Sequence, residues 1–166
     1  MTTDPPDSPP EWREQYDQMC RWHARLAAAS AVDLQLVDDF YAFCLVCFHL
    51  KDWLKNDASA EVDEKVVEQY VNGNLWLGLC ADLANGAKHL KLRDRSRRFE
   101  GTHHPETTLV LDLGLGISFL PVKPALTIPL PPGERVTALR FVESCVDAWD
   151  EFLRTHGLLG PSPEAA

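Results

Sequence analysis

From Trp12 to Leu26 apolar residues return every three or four positions. Trp12, Tyr16, Met19, His23 and Leu26 share one stripe, which predicts a helix from about Pro9 to Ala29. Its start is marked by Ser8-Pro9-Pro10-Glu11, a capping residue, a proline at the first helical position and an acid in the first turn. His23 lies in the apolar stripe and reads as a hydrogen-bonded core residue. A second capping signature, Ser30-Ala31-Val32-Asp33, opens a helix expected over Ala31 to Lys55. Between Phe40 and Phe48 this helix is apolar nearly all round, the pattern of a central helix packed on more than one side. The run Phe40 to Leu50 is bracketed by Asp38, Asp39, Lys51 and Asp52 and is far too short for a bilayer, so no membrane partner is expected.

Val62, Val66, Val67 and Tyr70 repeat the helical spacing until Asn72-Gly73-Asn74 interrupts it. A further helix follows from Leu75 to about Leu92, with Leu75, Leu79, Leu83 and Leu90 as its core stripe and Gly86 where a neighbouring backbone is expected to approach closely. The period then changes. Thr107 to Leu113, Ile117 to Pro121 and Ala125 to Leu130 read as two or three short antiparallel strands, edge-like because prolines 121, 124 and 129 cannot donate ladder hydrogen bonds. Glu134 to Arg154 reads as the last helix, with Leu139, Val142, Val146, Trp149 and Leu153 inward and Gly157 just beyond. The fold class is therefore mainly α: an antiparallel bundle of about four main helices with a small β-hairpin inserted before the C-terminal helix. Residues 1–9 are expected to be flexible, 10–156 to form one helical domain with its hairpin at about 107–130, and 157–166 to be a loose tail.

Composition adds limits. A chain of 166 residues suffices for one core, and 45% hydrophobic with 25% charged residues is globular. The N-terminal MTTDPPDSPP has neither a basic nor an apolar leader region, so a cytoplasmic location is expected. Five cysteines, an odd number, with Cys44 and Cys47 inside an apolar run, read as small buried hydrophobes and not as a disulfide framework or zinc knuckle. A net charge of −9 opposes non-specific attraction to nucleic acid. The basic residues are concentrated, however: Lys88, Lys91, Arg93, Arg95, Arg97 and Arg98 fall in one stretch with Asp94 as its one acid, and any polyanion has to be met there. The bland reading of that stretch is a solvated helix end whose charges complement the helix dipole.

One constellation suggests chemistry. Asp38, His49, Asp52 and Asn56 project within about a quarter-turn of the second helix, and Asp82, Asn85 and His89 do the same on the Leu75 helix. If these helices pack antiparallel, His49, Asp52, Asp82 and His89 are expected to share one half-buried cleft. Three readings follow: a satisfied polar network that fixes helix register, a metal site with ligands from both helices, or a nucleolytic centre. No cofactor is expected, and no particular metal is indicated.

The third reading rests on a resemblance. Leu83-Ala84-Asn85-Gly86-Ala87-Lys88-His89 resembles the Arg-x4-His motif of the HEPN superfamily of helical nucleases, in the form Arg-Asn-x-x-x-His. Asn85 and His89 match the polar second position and the histidine, whereas Ala84 stands where the family has arginine. The resemblance implies a motif helix near a homodimer interface, RNA as partner, and metal-independent attack of a ribose 2′-hydroxyl on the adjacent phosphate, in a defence or toxin setting. His89 and His49 would move protons, with Asp52 or Asp82 orienting an imidazole, and the cation would come from Lys51, the basic stretch or a second subunit. A rival spacing, Arg98-x4-His103, falls in a stretch broken by glycine and proline, where His103 and His104 read as loop residues. The alternative to RNA cleavage is a non-catalytic interaction or dimerisation domain whose cluster is structural.

Overall fold

The computed structural model describes residues 9–29, 35–88, 106–110, 123–130 and 134–160. Its elements are α1 (Glu11–Ala28), α2 (Leu36–Asn56), a 3-10 turn (Ala58–Ala60), α3 (Glu64–Gly73), α4 (Leu75–Lys88), β1 (Glu106–Val110), β2 (Lys123–Leu130), β3 (Glu134–Thr137) and α5 (Ala138–Thr155). The protein is mainly α, and no helix among the described residues is long and apolar enough to cross a membrane.

Side-chain contacts fix the helix directions. Trp12 meets Asp57 and Arg25 meets Asp39, so α1 runs antiparallel to α2. Going back along α2 from Lys55 to Cys44, the partners advance from Glu68 to Cys80, so α3 and α4 are antiparallel to α2 as well. On α5, Phe141 packs against Phe40 and Trp149 reaches the Cys47 carbonyl, which makes α5 parallel to α2. With α3 and α4 counted as one broken rod, the bundle runs up, down, up, down around a core of Met19, Phe40, Phe43, Leu50, Leu54, Val67, Leu79, Leu83, Phe141, Trp149 and Phe152. The expected central helix is α2, which borders every other helix of the bundle. A second one was hidden by a polar residue: every residue from Leu77 to Ala84 of α4 is buried, Asp82 included.

The break between α3 and α4 is a single residue. The Asn74 backbone N–H donates to the Tyr70 carbonyl, closing α3, while its Oδ1 accepts from the N–H groups of Trp76 and Leu77, opening α4. Two predicted starts move. Helix α1 begins after Pro10 with no side-chain cap of its own, two residues beyond the expected Pro9, and α2 begins at Leu36, with residues 30–34 outside the described set. Leu75, expected inward, is exposed at the mouth of the break, and Leu139 is exposed at the start of α5. At Gly86 an added Cβ would meet no described atom within 4 Å, so close approach of a described neighbour does not explain this glycine.

The strands form a three-stranded antiparallel sheet in the order β1-β2-β3. The proline-bearing β2 is its middle strand, against the expectation of an edge. Thr127 is where the two pairings overlap: β1 covers 123–127 and β3 covers 127–130. Among the described residues each half of β2 is thus paired on one side only, and a proline N–H missing from an unpaired side costs no ladder bond. Leu126 and Ile128, two positions apart on one face, enter the helical core. Glu134 to Thr137, predicted as the first turn of the last helix, belongs instead to β3, because its backbone completes this ladder. The expected third strand at 117–121 lies outside the described residues.

The tail reading also changes. Gly157, with φ of 71°, donates to the Arg154 carbonyl, and Leu158 donates to the Leu153 carbonyl, which is a Schellman closure of α5. Leu158 and Leu159 then pack against the core, so residues 157–160 continue the domain, while 1–8 and 161–166 lie outside the described residues.

Candidate functional site

The polar cluster on the second half of α2 is real, but its partners come mainly from α3. Helical spacing puts His49, Asp52 and Lys55 three residues apart on one face, with Lys51 beside them. His49 Nδ1 lies 3.4 Å from Asp52 Oδ2. The other carboxylate oxygen of Asp52 takes Lys51 Nζ at 3.1 Å and Lys55 Nζ at 3.2 Å. Both ammonium groups also reach Glu68 Oε1 of α3, at 2.9 and 2.7 Å. Two cations and two carboxylates therefore neutralise one another. The lysine side chains are only 12% and 14% exposed, and Lys51 also lies over the Phe48 ring.

The electrostatics follow from this closure. Hydrogen bonds from Lys55 and Lys51 hold the Glu68 carboxyl below its usual range. Burial alone would raise Asp52, but the same two lysines outweigh it and hold that carboxyl low. Lys55 is pushed up by its hydrogen bond to Glu68. Asp52, Glu68 and Lys55 are thus each kept in the charged form by opposite charges beside them.

Among the described residues, the remaining candidates do not assemble around this cluster. Cys80 touches the Cys44 carbonyl at 3.4 Å, and from that level the antiparallel register carries His49 one way and Asp82 the other. At about 1.5 Å rise per residue their backbones stand about 10 Å apart along the bundle axis. Asp82 is buried, at 6% exposed. Among the described residues, His49, Asp52 and Asp82 do not form a ligand group, which removes those three as a shared metal site. Asn56 donates to the Asp52 carbonyl at the end of α2, and Asp38 is solvent-exposed near its start. Asn85 is half-buried on α4, and Lys88 is the last residue of that helix. His89, Lys91, Arg93, Arg95, Arg97 and Arg98 lie outside the described residues.

Position 84 bears on the motif directly. Ala84, where the resembling family has its arginine, is 0% exposed and sits in the hydrophobic core. A guanidinium there would need a buried counter-charge.

The grouping that sequence reasoning missed is made of sulfur. Cys47, Cys80 and Cys145, from α2, α4 and α5, bring their Sγ atoms within 4.8 Å of one another. No local motif announces it, because the three residues are brought together only by helix packing.

The sequence matches no family model, and no curated protein and no solved structure matches it at a significant level.

Proposed function

We propose that this chain is a non-catalytic helical interaction domain of HEPN-like architecture, in which the α2–α3 charge cluster is structural. The burial of Ala84 carries the reading. RNA cleavage needs a cation exposed to the phosphate, and the position the motif reserves for one faces the core. The nearby lysines are neutralised by Asp52 and Glu68 and are no substitute. The partner proposed is a second copy of the chain.

A second reading, metal-independent RNA cleavage, is favoured by the His49–Asp52 pair, whose side chains are 38% and 40% exposed. There His49 and His89 would exchange protons with the ribose and leaving oxygens, with the basic stretch from Lys88 to Arg98 holding the strand.

Incubation of the purified chain with mixed RNA, with and without chelator, decides between them. The proposal expects no cleavage above background. Cutting that is insensitive to chelator and disappears in His49→Ala and His89→Ala overturns it in favour of the second reading. Sedimentation equilibrium expects a dimer, and a monomer throughout the micromolar range removes self-association from the proposal.

A further inference from the structure

The three-thiol cluster lies outside the polar site and owes nothing to it. Cys80 Sγ donates to the Cys44 carbonyl at 3.4 Å and Cys145 Sγ to the Trp76 carbonyl at 3.6 Å, while Trp149 Nε1 holds the Cys47 carbonyl at 3.2 Å. Backbone carbonyls of α2 and α4 thus hold two of the thiols, and the three sulfurs lie within 4.8 Å of one another. Three thiolates at about 2.3 Å from one ion lie about 4 Å apart in a planar arrangement and about 3.4 Å apart in a pyramidal one, so shifts of about 1 Å, up to about 1.5 Å, complete the geometry.

Coordination number and charge select the occupant. A structural zinc site takes four ligands, and among the described residues no fourth thiol, imidazole or carboxylate joins the three at that distance. Three thiolates leave a net charge of minus two on a monovalent ion and minus one on a divalent ion. Among the described residues no Lys, Arg or His is buried to balance either charge, and an uncompensated charge in such a core is costly. A trivalent thiophilic ion with three thiolates is neutral.

We propose that Cys47, Cys80 and Cys145 form a three-coordinate site for a trivalent thiophilic ion of the arsenic and antimony class. With arsenous acid the step balances without electron transfer. Three S–H and three As–O bonds break, three As–S and three O–H bonds form, and three waters leave. The α4–α5 seam must open transiently to admit the ion, since all three residues are buried.

The test is titration of the reduced full-length chain with sodium arsenite, read by native mass spectrometry and melting temperature. One arsenic per chain with loss of three protons and a raised melting temperature is expected. Cys47→Ser, Cys80→Ser and Cys145→Ser should each abolish binding, while Cys20→Ser and Cys44→Ser keep it. Circular dichroism checks each fold, and any serine variant that unfolds is replaced by its alanine counterpart. Absence of bound arsenic, or binding that survives loss of any one of the three thiols, overturns the site. Uptake of Cu(I) or Zn(II) ahead of arsenite from an equimolar mixture overturns the trivalent assignment.

Discussion

Asp57, just past the end of α2, accepts the backbone N–H of Trp12 on its Oδ2 at 3.1 Å, and so caps the start of α1 from 45 residues away. Helix α1 has no side-chain cap of its own. The other carboxylate oxygen of Asp57 takes the N–H and hydroxyl of Ser59, so one side chain serves two helix starts.

Asp57→Ala should therefore destabilise the protein by about 1–2 kcal/mol, the scale of a lost N-cap. Chemical denaturation measures it. A change below about 0.3 kcal/mol would mean that water replaces the carboxylate at no cost.

Acid should loosen the α2–α3 contact. Asp52, Glu68 and Asp57 all have folded pKa values below their unfolded ones. Their stabilisation is present above the unfolded carboxylate value of about 4 and is lost as pH falls through the folded values. The melting temperature should hold between pH 7 and 5 and drop below about pH 4, less steeply in Glu68→Gln. Lys55 has the opposite sign, its folded value lying above the unfolded one. Its contribution is complete below about pH 10 and disappears only at higher pH.

Ala84→Arg tests whether the motif position can carry its cation. With Ala84 buried among apolar neighbours, the substitution should cost about 3 kcal/mol or more and create no RNase activity. A stable Ala84→Arg protein that cuts RNA would reverse the functional proposal.

Gly86→Ala should stabilise α4 by about 0.5–1 kcal/mol, because an added methyl meets no described atom and alanine is the better helix former. A loss of stability instead would overturn this reading of Gly86.

The helices were legible because burial is periodic. Phe40 to Phe48 revealed the central helix, and Asn72-Gly73-Asn74 the break, since both are local patterns. What failed was non-local. Glu134 to Thr137 reads as a helix start by composition, but its partners on β2 decide its backbone. The His49–Asp52 pair is local and was found; the lysine contacts to Glu68 depend on how α3 folds back. Even a correct antiparallel arrangement left the level of Asp82 against His49 open, because that level is set by side-chain packing around Cys44 and Cys80.

Thr137 ends β3, and its Oγ1 accepts the N–H of Arg140, so it also caps α5 with no linker between strand and helix. A ladder tolerates only steps of whole residues, whereas each residue turns a helix by about 100°. Slippage of β3 by one position along β2 would therefore act like a misaligned gear, rotating Phe141 and Cys145 away from their seats. The small sheet thus sets the phase of the last helix, and strand-register changes at 134–137 should be felt throughout the bundle.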